Sequence, residues 1–299
     1  MTIAQALDVR QRSVSYREAE VLLAEVTGLR REYLHAHLNQ DITSSECVRY
    51  EEFLQRRERN EPVAYIIGYK EFYGRPFQTD SRALIPRPET EGIIDAAVIA
   101  QNKRFKRLLA AKGKPCPLRI LELGTGCGNI AITLAHELAA KRIAAEIVAT
   151  DISPEALLLA EANAVSLGVP SLCRITWVEA DLYGSFQVDR RAPYDLIIAN
   201  LPYVSTAWKQ DPAAQMDVLF YEPDIALFGG VTGTDIYKRF WRDLSTYLKP
   251  DGDVLIEFDH GQSVEMLPYA QASLPSYAFT VLEDYAGLER ILQGRIRKI

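Results

Sequence analysis

An apolar run ending in three glycines at alternate positions, Ile120-Leu-Glu122-Leu-Gly124-Thr125-Gly126-Cys127-Gly128, constrains this chain more than any other segment. Leu118–Leu123 has the apolar density of a buried strand, and Ile130, Ala131, Leu134 and Leu138 recur at helical spacing directly after the glycines. Missing side chains let such a bend be tight and let a ligand approach the backbone closely. Strand, glycine bend and helix in that order make a nucleotide-binding crevice. The spacing is GxGxG rather than GxGxxG, and Glu122 stands two residues before the first glycine. A dinucleotide diphosphate wants the longer spacing, whereas an acid beside the bend suits a ligand with a cationic amino-acid end. Both points favour S-adenosylmethionine over a nicotinamide dinucleotide.

Downstream, apolar runs at Ile147–Thr150, Ile175–Val178 and Leu196–Ala199 alternate with helix-like stretches such as Pro154–Ser166. Strands alternating with helices predict a parallel sheet covered on both faces. Asp253–Phe258, Ala278–Leu282 and Arg290–Arg297 read as three more strands, and the last two lie too close for a helical crossover, so they should pair antiparallel. Asp151 ends the second strand, where a carboxylate can accept both hydroxyls of a ribose. Asp181 and Leu182 end the third and could meet an adenine. Taken singly, a glycine turn is often a plain connection and a strand-end Asp a helix cap.

The fourth strand closes on Asn200-Leu201-Pro202-Tyr203, at the end of the sheet where open parallel sheets place their ligands. The Asn200 side-chain oxygen and the main-chain carbonyl of Leu201 are two acceptors that can hold the hydrogens of an NH₂ group. They would aim its nitrogen at a methyl donor and stabilise the positive charge that grows there. Tyr203 would pack against a planar amide. An adenine amino group suits the same geometry, and a buried Asn-Pro turn before a core tyrosine is the bland alternative.

The first seventy or so residues read as helical: Ala19, Leu22, Leu23 and Val26 share one face, Gly28 stops that helix, and Thr43 with Glu46 makes a capping box. Glycine, proline and aromatic residues then crowd together over 68–91, which suits a linker with a short hairpin, and Pro88 with Glu89 and Glu91 fits the first turn of a new helix. The predicted domains are 1–70, helical; 71–90, hairpin linker; and 91–299, the sheet. A net charge of −6 and a pI near 5.4 argue against a nucleic-acid footprint. The four cysteines form no CxxC pair, so neither a zinc site nor a disulfide frame is expected. With no signal-like start and no apolar run of membrane length, the expectation is a cytoplasmic protein.

The chain resembles the peptide chain release factor glutamine-N5 methyltransferases, the PrmC/HemK family, over nearly its whole length. The resemblance rests on Arg59-x-x-Pro62-x-x-Tyr65-Ile-x-Gly68-x-x-Glu71-Phe-x-Gly74, on Leu84-Ile-Pro-Arg-Pro-Glu-Thr-Glu91 and on the glycine bend. Tyr221-Glu-Pro223, Ala226-Leu-Phe-Gly-Gly230 and Asp284 with Gly287 and Arg290 add to it. It implies an α/β, Rossmann-like, seven-stranded class I methyltransferase sheet with a small N-terminal helical domain that helps to dock the substrate. It also implies S-adenosylmethionine as cofactor, held by Gly124, Thr125, Gly126, Cys127, Gly128, Asp151, Asp181, Leu182 and Asn200. Asn200, Leu201, Pro202 and Tyr203 would hold a glutamine in the Gly-Gly-Gln loop of a class-1 release factor. No metal, membrane or direct nucleic-acid contact is implied. The chain departs from the family pattern at Leu201, where a proline is usual, at Thr232, where Asp is usual, and at Asp259, where Gly is usual. Asn-Leu-Pro-Tyr is also similar to the tetrapeptide of ribosomal RNA adenine dimethylases. Two rival readings remain: a methyltransferase for adenine N6 or another protein glutamine, and a non-catalytic relative that binds partners.

Overall fold

A computed structural model describes residues 1–112, 116–184, 193–210 and 221–297. It divides into two compact units, one holding Met1–Tyr69 and Tyr221, the other the remaining described residues from Lys70 onward.

The first unit is helical: α1 (Ile3–Ala6), α2 (Tyr16–Thr27), α3 (Arg31–Ala36), α4 (Ser44–Glu58) and α5 (Val63–Ile67). Capping boxes at Thr2/Gln5, Ser15/Glu18 and Thr43/Glu46 satisfy the free N–H groups that open α1, α2 and α4. Gly28 ends α2 in the left-handed conformation, as its position in the sequence predicts. The apolar faces meet in one cluster with Leu22, Leu23, Leu34 and Tyr50 at its centre. The Tyr50 hydroxyl finds partners there in the Ala6 and Ala19 carbonyls. Tyr221 donates its hydroxyl proton to the Arg59 carbonyl.

The boundary to the second unit falls inside the hairpin β1 (Tyr69–Phe72) and β2 (Arg75–Gln78). The segment expected as a linker is therefore part of the sheet unit. Phe72 and Phe77 are buried in its core, each contributing about 1.5–3 kcal/mol by area. Asn163 clamps the strand by accepting from Gln78 N at 2.8 Å and donating to Gln78 O at 3.1 Å. Pro88–Thr90 forms a short 3-10 turn that leads into α6 (Glu91–Lys112).

Then come β3 (Leu118–Leu123), α7 (Asn129–Ala140), β4 (Ala145–Asp151), α8 (Pro154–Leu167), β5 (Cys173–Glu179) and β6 (Tyr194–Ala199). The chain continues with α9 (Asp224–Leu227), α10 (Asp235–Tyr247), β7 (Leu248–Glu257), α11 (Ser263–Ser273), β8 (Tyr277–Glu283) and β9 (Glu289–Ile296). The seven-stranded sheet runs β5-β4-β3-β6-β7-β9-β8, with β9 antiparallel to both its neighbours. All seven predicted strands are present, and the last two pair as expected. Because strand side chains alternate, Leu118, Ile120, Leu196 and Ile198 join the core under α6 and α7. Leu121, Leu123, Ile197 and Ala199 join the core under α10 and α11. The chain winds outward from β3 through β4 to β5, then returns to β6 on the other side. That reversal opens a crevice beyond the carboxyl ends of β3 and β6.

Candidate active site

A pocket occupies that crevice. Its wall includes Gly124, Thr125 and Gly126 after β3, Asp151 at the end of β4, Asp181 and Leu182 after β5, and Asn200, Leu201 and Pro202 after β6. Residues 82–87 and Thr90, between β2 and α6, line it as well, as do Ile225, Ala226, Ile236 and Arg239.

The glycine bend is held by backbone. Gly124 N and Thr125 N both donate to Thr150 O, at 2.9 and 2.8 Å, and Gly128 N donates to Thr125 O at 2.9 Å. Gly124 adopts φ 74° and Gly126 φ 54°, where a Cβ is strained. A Cβ on Gly124 would also lie 3.0 Å from Leu201 Cδ2 and 3.4 Å from Asn200 O, so the bare backbone is what lets the two walls come this close. Asp151 accepts from Gly126 N at 2.8 Å and from Ser153 N at 3.0 Å. Burial raises its carboxyl above the usual range despite those two donors.

Cys127 and Gly128 depart from expectation: neither is in the pocket wall. Cys127 is buried with Ala83, Ala156 and Leu159, and its thiol is pushed up to about 12 by burial. Gly128 caps α7, and a Cβ there would sit 3.1 Å from Ala160, Ile132 and Trp177, which makes it a packing glycine. Glu122, read as a partner for a cationic ligand, is not in the wall either. It lies beneath the bend, accepts from the Thr125 hydroxyl at 2.9 Å, and burial raises its carboxyl to about 8. Asp181 is exposed at the rim and paired with Arg239 at 2.7 Å. Leu182 takes φ 54°, uncommon outside glycine, and presents itself to the pocket.

The opposite wall is held by side chains. Asn200 Nδ2 donates to Thr90 Oγ1 at 3.2 Å, which leaves its carbonyl oxygen available as an acceptor. Leu201 N, a group that proline would lack, donates to the Tyr237 hydroxyl at 3.0 Å. Tyr237 has one proton to give, and its closest acceptor is the Glu257 carbonyl, so Leu201 O keeps its lone pairs. The lost proline ring is thus offset by a hydrogen bond that holds the same peptide. Tyr203 lies outside the pocket wall. Its carbonyl accepts from Gln262 Nε2 at 3.0 Å and its hydroxyl stands 3.4 Å from Glu257. Gly229 and Gly233 press against this strand: Cβ atoms there would lie 2.3 Å from Pro202 O and 2.4 Å from Tyr203 O.

The other motifs now have physical roles. Glu222 is buried, accepts from Ile85 N at 2.9 Å and pairs with Arg87 at 2.5 Å, which ties Glu222 to the loop that lines the pocket. Asp259 pairs with Arg290 at 2.7 Å, and the Thr232 hydroxyl donates to Asp235 at 2.9 Å, so both unusual residues are partnered. Thr90, Tyr237 and Glu257 were not singled out as site residues from sequence; Thr90 lay within the quoted loop motif, but its partner did not. Among the described residues no cluster of His, Cys, Asp and Glu could hold a metal ion, and no helix is long and apolar enough to cross a membrane.

Residues 2–68 match the family model described as PrmC N-terminal domain, and residues 120–219 the one described as Methyltransferase domain. A protein named release factor glutamine methyltransferase from Koribacter versatilis is 34% identical over 99% of this chain and 99% of its own length. One of the same name from Bacillus subtilis is 33% identical over 94% of this chain and 91% of its own. Among solved structures, the hMettl16 catalytic domain in complex with a 3'UTR hairpin aligns with TM-score 0.53 and 14% identity over 88% of this chain and 87% of that one. At that identity the likeness concerns the fold alone.

Proposed function

The chain belongs to the release factor glutamine methyltransferases, and from that premise we propose that it methylates the side-chain amide nitrogen (N5) of the glutamine in the Gly-Gly-Gln loop of a class-1 peptide chain release factor. The observation that supports this most is the meeting of the glycine bend with Asn200–Pro202 in one pocket at the reversal of the sheet. S-adenosylmethionine is the cofactor of this class, and when bound it supplies an electrophilic methyl group. The residues present fit it. The bare Gly124–Gly126 backbone offers close approach, Asp151 offers carboxylate acceptors for ribose hydroxyls, and Leu182 and Asp181, in the same wall, would meet the adenine.

The chain's own work is positioning. A glutamine amide nitrogen is a poor nucleophile because its lone pair is delocalised into the carbonyl. The Asn200 side-chain oxygen and the Leu201 carbonyl accept its two hydrogens, fix the plane of the amide and stabilise the charge that develops on nitrogen. Pro202 continues that wall, and Tyr203, outside it, anchors the turn through its carbonyl, which accepts from Gln262 Nε2. The extra proton leaves to solvent afterwards, so no general base is required. The helical unit of residues 1–69 docks the release factor, and such a substrate places the enzyme in the cytoplasm.

The test is mass spectrometry of a release factor incubated with this protein and S-adenosylmethionine. One added methyl on the loop glutamine supports the reading. Label appearing in RNA or DNA and not in the factor would replace it with an adenine acceptor, which the same pair of oxygens could hold.

A further inference from the structure

We propose that a groove walled by the first half of α6 and the turn between β8 and β9 docks a lysine- or arginine-bearing segment of the substrate protein that flanks the methylated glutamine; the inference rests on the reading that the substrate is a protein. Gly92, Asp95, Ala96 and Ile99 line one side, and their i, i+3, i+4, i+7 spacing puts them on one face of α6. Leu282 of β8 and Ile291 of β9 complete an apolar floor. Gly92 lets the helix lie close to the sheet, since a Cβ there would be 3.0 Å from Ile291 Cδ1. The groove holds about 250 Å³. Two large side chains in its wall face water: Ile99 is 53% exposed and Tyr285 89%.

The charge of the wall says what the groove takes. Glu89, Asp95, Glu283 and Asp284 line it, and among the described residues no lysine or arginine does. Asp284 is engaged within its own turn: it accepts from Ala286 N at 2.8 Å and Leu288 N at 3.0 Å, and pairs with Arg290 at 3.3 Å. Asp95 meets only neutral donors, the hydroxyls of Tyr73 at 2.9 Å and Tyr285 at 3.4 Å. Among the described residues neither Glu89 nor Glu283 forms an ion pair. A lysine or arginine answers both features, because its stem covers apolar surface while its head stays at the carboxylates. The exposed Tyr285 ring can take up the same cation on its face. A phosphate backbone would be repelled by these charges, so the occupant is protein and not nucleic acid.

One turn joins the groove to the chemistry. Pro88–Thr90 places consecutive residues in two different walls: Glu89 lines the groove, and Thr90 lines the acceptor pocket, where it accepts from Asn200 Nδ2 at 3.2 Å. Consecutive Cα atoms are about 3.8 Å apart, so a substrate chain with its glutamine at Asn200 rounds that turn within a few residues. Asn200 and Leu201 can grip any accessible glutamine. The groove adds a second criterion, a basic neighbour.

The experiment measures methyl transfer to a release factor at low and at physiological ionic strength for wild type, Glu283→Lys and Tyr285→Ala. Glu161→Lys, on the exposed face of α8, is the control with the same change of net charge as Glu283→Lys. Calorimetry of S-adenosylmethionine binding and sedimentation accompany each protein. Glu283→Lys should raise KM for the factor on the order of three- to tenfold at low salt, with kcat and cofactor affinity kept. It should also flatten the rise of KM with salt that wild type shows. Tyr285→Ala should raise KM about fivefold, and Glu161→Lys should match wild type. The groove is overturned if neither Glu283→Lys nor Tyr285→Ala moves KM, if Glu161→Lys moves it as much as Glu283→Lys, or if cofactor affinity falls as far as KM rises. Variants that change sedimentation and leave KM alone hand the groove to a second copy of the chain, which also overturns the proposal. A wild type that transfers no methyl to the factor overturns the substrate reading and the groove together, whereas an active wild type with indifferent variants overturns the groove alone.

Discussion

The two walls of the pocket are built by different means. The glycine wall is held mainly by backbone: Gly124 N and Thr125 N donate to Thr150 O, and Gly126 N alone leans on a side chain, the Asp151 carboxylate, all on the neighbouring strand β4. The Asn200–Tyr203 wall has almost no local support. Thr90 ahead of α6, Tyr237 on α10 and Gln262 beside α11 each hold one of its polar groups. A wall made of its own backbone is sensitive to glycine replacement. A wall held from behind can accept a different residue at its face, and Leu201 in place of proline is such a case.

That contrast predicts separable failures. Asn200→Ala removes an acceptor that acts on the developing charge, so kcat should fall by roughly 10²–10³-fold with little change in cofactor affinity; unchanged turnover would remove Asn200 from the chemistry. Asp151→Ala should do the reverse, weakening S-adenosylmethionine by about 1.5–3 kcal/mol through lost charge-assisted hydrogen bonds, with kcat at saturation largely kept. Equal loss of both parameters would erase the distinction between the walls. Tyr237→Phe leaves Leu201 N–H buried without an acceptor and should cost about 1–3 kcal/mol of stability by chemical denaturation. A smaller loss in kcat should accompany it, and an unaltered midpoint would mean that the Leu201 peptide needs no tether.

The smallest effect on transfer belongs to Glu122→Gln. The Glu122 carboxyl is raised from 4.5 to about 8 by burial. Its contribution to stability is therefore complete below about pH 4.5 and is lost as pH rises through 8. The Gln variant has no such loss, so its advantage over wild type should grow by at most about 1.4 kcal/mol per pH unit across that window and then level. Denaturation curves that stay parallel at all pH would show that Glu122 is not held as the acid.

Much of this molecule is legible in its sequence, and the legible part is the local part. The strands, the bend, the capping box at Thr43 and the helix start at Pro88 are each set by residues within a few positions of one another. Asn200 and Asp151 were legible because each closes an apolar strand. What failed was direction. Cys127 and Gly128 belong to the glycine motif, yet their surroundings come from α8, β5 and the loop after β2, so nothing nearby says that they face the core. The supports at Thr90, Tyr237 and Glu257 were hidden for the same reason. A hydroxyl or carbonyl gains its meaning from a partner 20 to 110 residues away, and spacing along the chain carries no trace of it.

The order of the sheet has a consequence for synthesis. β8 pairs only with β9, and β9 lies between β8 and β7, so β8 has no place to dock when it is made. β5 through β7 can assemble while translation continues, but the nascent polypeptide carries an unpaired strand until residues 289–296 emerge. Arg290 on β9, whose charge favours ionisation of Glu257, arrives in the same step. A ribosome-bound intermediate short of that strand would hold the glycine wall complete and the other one still without its final charge.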